Sequence, residues 1–189
     1  SDFGSFFGFF SNMLLKIAEK IIFKHQWDGY IAISNKVKEK MRKLHIPKDK
    51  IKVIYCGVDI SKIKKIPSNK TLFPSICSIS RLVSYKEIDH ILKSLSLIIK
   101  VLPKIRYYIV GDGEEYSNLK RYVKELKIDK HVKFYRFIPN HKKVLEILKN
   151  SWVYCSASLV EGFGIATIEA MVAKVPFVIA DIPVNREIT

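Results

Sequence analysis

At 189 residues with 48% apolar side chains, the chain is long enough to bury a core of ordinary domain size. Its formal charge is 33 − 18 = +15, which favours nucleic acid, an anionic membrane face or phosphorylated ligands, unless the lysines only solvate helix faces. Cys56, Cys77 and Cys155 show no Cys-x-x-Cys spacing, and His25, His45, His90, His131 and His141 show no paired ligand spacing. A disulfide framework is therefore excluded, no metal site is inferred, and the cysteines are expected to be free, buried thiols of a reducing compartment.

The chain opens at Ser1 without an initiator methionine and ends at Thr189 where a helix is about to begin, so it reads as a fragment. Phe3, Phe6, Phe7, Phe10, Leu14, Ile17 and Ile21 fall at helical spacing, interrupted by Lys16, Glu19 and Lys20. That pattern fits neither a signal peptide nor a spanning helix. It leaves two readings: a helix packed on another part of the protein, or an interfacial helix on an anionic membrane surface. Asp28–Ser34 reads as a strand ending at a helix cap, followed by a helix over 35–44 and a strand over 51–55. Gly57-Val-Asp59 makes a turn, and the lysine-rich Ser61–Thr71 reads as a linker between residues 1–60 and a second domain, 72–189.

From there strands and helices alternate. Strands are expected over 75–80, 105–110, 132–135, 152–156 and 176–180, with helices over 88–101, 115–127, 141–149 and 165–173. The alternation predicts an α/β fold, a Rossmann-like parallel sheet with helices on both faces. In such sheets ligands bind beyond the carboxyl ends of the strands, and the chemistry-bearing residues fall there.

In Ser80-Arg-Leu-Val-Ser-Tyr-Lys86, Arg81 and Lys86 flank a post-strand loop and suit a diphosphate; the plainer reading is two solvated cations. Val110-Gly-Asp-Gly-Glu114 is a strand-to-helix turn and weak evidence alone. Glu161-Gly-Phe-Gly-Ile165 lies between a strand and a helix, so the N–H groups of Phe163, Gly164 and Ile165 would form an anion site. Glu161 and Glu169 frame that site, and a carboxylate beside an anion makes sense where it accepts bonds from sugar or ribose hydroxyls. The alternative is a surface acid and a capping acid near a helix start.

Glu161-Gly-Phe-Gly and Glu169-Ala-Met, eight residues apart, resemble the paired-glutamate signature of the family 4 retaining glycosyltransferases, which have the GT-B fold. Ser80–Glu87 resembles that family's Gly-Arg-Leu…Lys-Gly with both glycines replaced, and 110–114 resembles its Val-Gly-Asp-Gly-Pro. Phe134–Ile138 resembles the segment that holds the nucleotide base, with Arg136 in place of a glycine, and Lys174 replaces a helix-ending glycine. Residues 51–59 resemble the end of the family's amino-terminal domain, with Cys56 for an asparagine.

The resemblance implies transfer of a hexosyl group from a nucleotide-diphosphate sugar to a saccharide or lipid-linked acceptor hydroxyl, with retention of configuration. It implies a cytoplasmic protein, with an anionic membrane surface as a further partner, and no cofactor or metal. Arg81, Lys86, Gly162 and the amides of Phe163, Gly164 and Ile165 would hold the diphosphate, Ile138 the base and Glu169 the ribose, while Glu161 would act on the sugar. A fragment with only the donor-binding half is expected to be inactive alone. Two other classes remain open: a nucleotide-binding protein without catalysis, and a nucleic-acid-binding module. The aromatics lie mostly in apolar periodic runs, the pattern of a core, which weighs against the latter.

Overall fold

The computed structural model describes residues 27–189, in two compact units divided between Tyr55 and Cys56. The Phe-rich pattern over 3–23 lies outside the described residues. Among the described residues no helix is long and apolar enough to cross a membrane.

In the first unit β1 (Tyr30–Ala32) pairs in parallel with β2 (Ile51–Val53), joined through helix α1 (Asn35–Lys43). Ser34 caps α1 by accepting from the Val37 N–H at 3.1 Å. Ala32, Ile46 and Ile51 form its small core.

The second unit begins with α2 (Ile60–Lys65), within the stretch expected as a linker. The helix forms because Asp59 accepts from the Lys62 N–H at 3.0 Å and because Ile63 and Ile66 bury against the unit's core. There follow β3 (Ser75–Ile79), α3 (Ile88–Ile98), β4 (Arg106–Val110), α4 (Tyr116–Glu125) and β5 (Val132–Tyr135). The chain continues through α5 (His141–Asn150), β6 (Val153–Ser156), α6 (Ile165–Val172), β7 (Phe177–Ile179) and α7 (Pro183–Ile188). The five strands of this unit form one parallel sheet in the order β5-β4-β3-β6-β7.

Alternation along the strands divides the core. Tyr107 and Ile109 of β4 face α3 and α4, in a cluster with Leu92, Leu95, Leu119 and Val123. The opposite face packs Tyr154 with Leu145 and Leu148 of α5, Ala170 of α6 and Ile63 of α2. Helices thus cover both faces, as the alternating pattern predicts. Burying Tyr107 fully is tolerable because its hydroxyl is satisfied: it donates to Ser78 Oγ at 2.8 Å, which donates to the Cys155 carbonyl at 2.6 Å. All three cysteines are free, but only Cys77 is buried; Cys56 and Cys155 are half-buried, correcting the expectation for those two. Burial pushes the Cys77 thiol up to about 12, so it packs as a neutral apolar group.

Lys174 ends α6 in the left-handed region, at φ 56°. Its N–H donates to Met171 O at 3.0 Å and that of Val175 to Ala170 O at 2.9 Å, the paired bonds of a Schellman motif. The backbone keeps a conformation suited to glycine while the side chain is lysine. Lys174→Gly is expected to stabilise the protein by about 1 kcal/mol, read as a raised urea midpoint at unchanged slope. An unchanged or lowered midpoint would mean that the left-handed residue carries no strain.

Candidate functional site

The strand order reverses at β3: β4 and β5 lie on one side of it, β6 and β7 on the other. The loops after β3 and β6 therefore leave the sheet on neighbouring strands, the place where sheets of this kind bind ligands. Two contacts bridge the loops. Leu159 N–H donates to Tyr85 O at 2.9 Å, and Lys86 Nζ meets Glu161 Oε1 at 2.5 Å. The ion pair is largely shielded, its side chains 11% and 18% exposed, so water screens it weakly.

The β3 loop is held from below by the turn after β4. Leu82 N–H donates to Asp112 O at 2.8 Å, and a Cβ on Gly111 would come within 1.8 Å of Ser80 O. The Gly-Asp-Gly turn is thus required by backbone approach. Arg81 is exposed and donates from Nη2 to the Tyr85 hydroxyl at 2.6 Å. Lys86 Nζ lies 5.6 Å from the same ring. Tyr85 stands between the two cations, a role sequence spacing does not reveal. Glu87, which could oppose Lys86, instead pairs with His90 at 2.9 Å. Asp89 joins these two in a group whose ligand-capable atoms lie within 4.8 Å of one another, another proximity the histidine spacing does not reveal.

At the β6 loop, Gly164 takes φ 87° as the N-cap of α6, and a Cβ there would meet Ile188 Cδ1 at 3.1 Å. The first bonds to this cap's carbonyl come from Thr167 at 3.0 Å and Ile168 at 3.2 Å, so the N–H groups of Gly164 and Ile165 lie ahead of the helix's own hydrogen bonds, at its positive end. Gly162 is exposed, whereas the Phe163 ring is buried and anchors the loop.

Glu169 is buried, and Nε2 of the exposed His141 lies 2.7 Å from its Oε1. His141 opens α5 just after Asn140, whose side chain caps that helix by accepting from Lys142 N–H at 3.0 Å. The bond therefore ties the start of α5 to the middle of α6. Ile138 lies apart from these groups: its side chain packs on Cys77, Val110 and Val144 and lines a groove of about 590 Å³ along α5. The structure thus brings Lys86 and Glu161 together just ahead of the α6 amino terminus, with Arg81 linked to them through Tyr85.

A family model described as "Glycosyl transferases group 1" matches residues 59–189, more than two thirds of the chain. The chain belongs to the group 1 glycosyl transferases. A second model, described as "Glycosyltransferase Family 4", matches residues 4–62. An uncharacterized glycosyltransferase of Haemophilus influenzae is 38% identical over 118 residues, covering 62% of this chain and 31% of that protein. A poly(glycerol-phosphate) alpha-glucosyltransferase of Bacillus subtilis is 31% identical over 103 residues, covering 54% of this group 1 chain and 15% of that protein. This transferase chain thus spans less than a third of these curated relatives. Among solved structures, Anabaena HepE in complex with UDP and glucose matches with TM-score 0.74 at 22% identity, over 93% of this chain and 50% of that one. That likeness shows the GT-B fold alone.

His141→Ala in this transferase chain would strip a buried carboxylate of its partner. The expected cost is about 1–3 kcal/mol of stability in urea unfolding, with His141→Gln, which keeps a donor, recovering at least half. Equal losses for both would mean that the contact to Glu169 does not hold these helices.

Proposed function

We propose that this chain contributes the donor-binding half of a family 4 retaining glycosyltransferase, moving a hexose from a nucleotide-diphosphate sugar to a saccharide or lipid-linked hydroxyl. The observation that carries this is the convergence, at the switch point of the sheet, of Lys86, Glu161 and the amino terminus of α6. Such a site offers cations and helix amides to a diphosphate and a carboxylate to hydroxyls within one ligand's length. Relatives named for their chemistry lend support: the Bacillus protein above, and a UDP-N-acetylglucosamine–peptide N-acetylglucosaminyltransferase subunit of Streptococcus agalactiae, 27% identical over 128 residues.

In this reading Arg81, Lys86 and the amides of Phe163, Gly164 and Ile165 hold the diphosphate, with Gly162 letting the loop approach it. When the sugar–phosphate bond breaks, the leaving diphosphate takes the bonding electrons. Fixed donors aimed at that charge lower the barrier without a metal ion. Glu161 stabilises the cationic sugar, Glu169 accepts from the ribose hydroxyls, and the backbone around Ile138 meets the base. Lys86 and Glu161 satisfy one another. Donor binding would exchange that bond for one to phosphate and one to sugar.

The two acids thus have separable roles. Glu169→Gln is expected to weaken binding of a nucleoside diphosphate about ten- to a hundredfold in calorimetry, the effect of weakening a bond to a charged group. Glu161→Gln frees Lys86 and should leave that affinity unchanged or raised, while lowering turnover in the complete enzyme. Comparable melting of both variants and the parent is the control. Equal weakening by both substitutions would overturn the division between ribose and sugar.

A further inference from the structure

The sheet face opposite α3 and α4 is only partly covered at its β5 edge. Side chains alternate along β4 and β5, so Tyr107, Ile109 and Phe134 pack among α3 and α4, while Tyr108 and Tyr135 project from the other face and stay half-buried. α5 lies beside these two rings: its Val144 packs on Cys77 and Val110, and its Leu145 and Leu148 pack with Ala170 of α6. The groove of about 590 Å³ runs between the two rings and α5, on the side of that helix away from α6 and Glu169. Of its residues the donor reading uses only Ile138, at one end.

The groove is amphipathic. Its floor is two phenol rings that meet edge to face, centroids 6.1 Å apart, and Phe137 stands beside them, 81% exposed. Neither phenol hydroxyl has a hydrogen-bond partner among the described residues, and burial pushes that of Tyr108 up, so it stays a neutral donor. The wall on α5 carries Lys143, Glu146 and Asn150. Asn150 Oδ1 accepts from the Asn69 N–H at 2.8 Å, which fixes the amide and leaves Nδ2 to donate. Glu146 faces Lys142 at 4.0 Å, whereas Lys143 pairs with no acid among the described residues, and Lys133 Nζ sits 4.8 Å from the centroid of Tyr135. The charge left over is positive.

That surface selects among occupants. A lipid chain or an apolar helix would dry the groove and strand its hydroxyls, amide and lysines. Successive nucleobases stack on ring faces, and these rings stand at 72° to one another, with Lys133 over one of them. A saccharide meets both halves: the C–H face of the sugar lies on an aromatic ring, and its hydroxyls bond to the phenols, the amide and the carboxylate. The lysines add attraction for a carboxylate or phosphate carried on the sugar. The volume suits a ligand of that size. We propose that this groove is a second carbohydrate site, which holds a stretch of anionic glycan apart from the site at the strand reversal. The contacts it uses lie on the outer side of α5, so it stands or falls apart from the donor reading.

Calorimetry with a carboxylated hyaluronan oligosaccharide, a phosphorylated mannan oligosaccharide and a neutral maltooligosaccharide tests it, alongside inorganic polyphosphate and oligothymidylate. The proteins are the parent chain, Tyr108→Leu, which keeps an apolar side chain, and Lys143→Gln at an exposed position of α5. The parent is expected to bind at least one anionic glycan saturably and more tightly than the neutral one, and the glycan preferred tells which anion is read. Tyr108→Leu should weaken every bound glycan about three- to thirtyfold, and Lys143→Gln should weaken the anionic glycans alone, about two- to tenfold. Nucleoside diphosphate affinity, measured on the same samples, should stay within about twofold in both variants, so the two sites are scored separately. Equal melting temperatures show that the variants are folded, and Lys143→Gln carries the test if Tyr108→Leu does not fold. No saturable glycan binding by the parent overturns the groove, as does glycan binding that the folded variants leave unchanged. Polyphosphate bound as tightly as the glycans means a charge patch only, and oligothymidylate bound more tightly than any glycan means a nucleic-acid surface. Either result overturns the carbohydrate site.

Discussion

β3 is paired in parallel on both sides, to β4 along its whole length and to β6 through Ile76 and Cys77. Everything at the site follows from that constraint. The chain fills one half of the sheet, crosses back, and fills the other, so the loops leaving β3 and β6 stand side by side above adjacent strands. Beneath them Tyr107, Ser78 and the Cys155 carbonyl link the three central strands with a buried hydrogen-bonded chain. An unpartnered polar group at that depth would cost about 1–3 kcal/mol, so the chain favours this register over a slipped one.

The net charge of +15 is a poor guide to the site, because its cations are not left to solvent. Lys86 is held by Glu161, Arg81 by Tyr85 and Arg136 by Asp112 and Tyr116. Each is fixed by neighbouring side chains rather than left to solvent. The shielded Lys86–Glu161 pair differs from the exposed Arg136–Asp112 pair, since removing one member strands a poorly hydrated charge. Positioned charge here is local, and the remaining lysines follow the ordinary logic of solvated helix faces.

The architecture was legible from strand–helix alternation, because parallel strands buried on both faces read as short apolar runs between amphipathic helices. The turn and helix start that carry Glu161, Gly164 and Glu169 were legible because strand, tight turn and helix succeed one another within one short stretch. Helix α2 was not, since its lysines and the nearby Pro67 resemble a linker, and only the Asp59 cap and burial of Ile63 and Ile66 make it a helix. The His141–Glu169 and Lys86–Glu161 contacts were invisible for a different reason. His141 reaches Glu169 across 28 residues, and Lys86 reaches Glu161 across 75, so both contacts exist only once the sheet has formed. Glu87 and Lys174 show the converse: each takes a position that the resemblance gives to glycine, and each keeps a left-handed φ, 49° and 56°.

The central claim is that one site, at the reversal of the strand order, receives a nucleoside diphosphate. Backbone amide shifts followed by nuclear magnetic resonance during titration with UDP, GDP or ADP test it most directly. The account predicts saturable shifts concentrated at Arg81, Lys86, Gly164, Ile165 and the loop after β5, with the lysine-bearing outer faces of α4 and α5 unmoved. Shifts spread over those faces without saturation, or none at the α6 amino terminus, would contradict it.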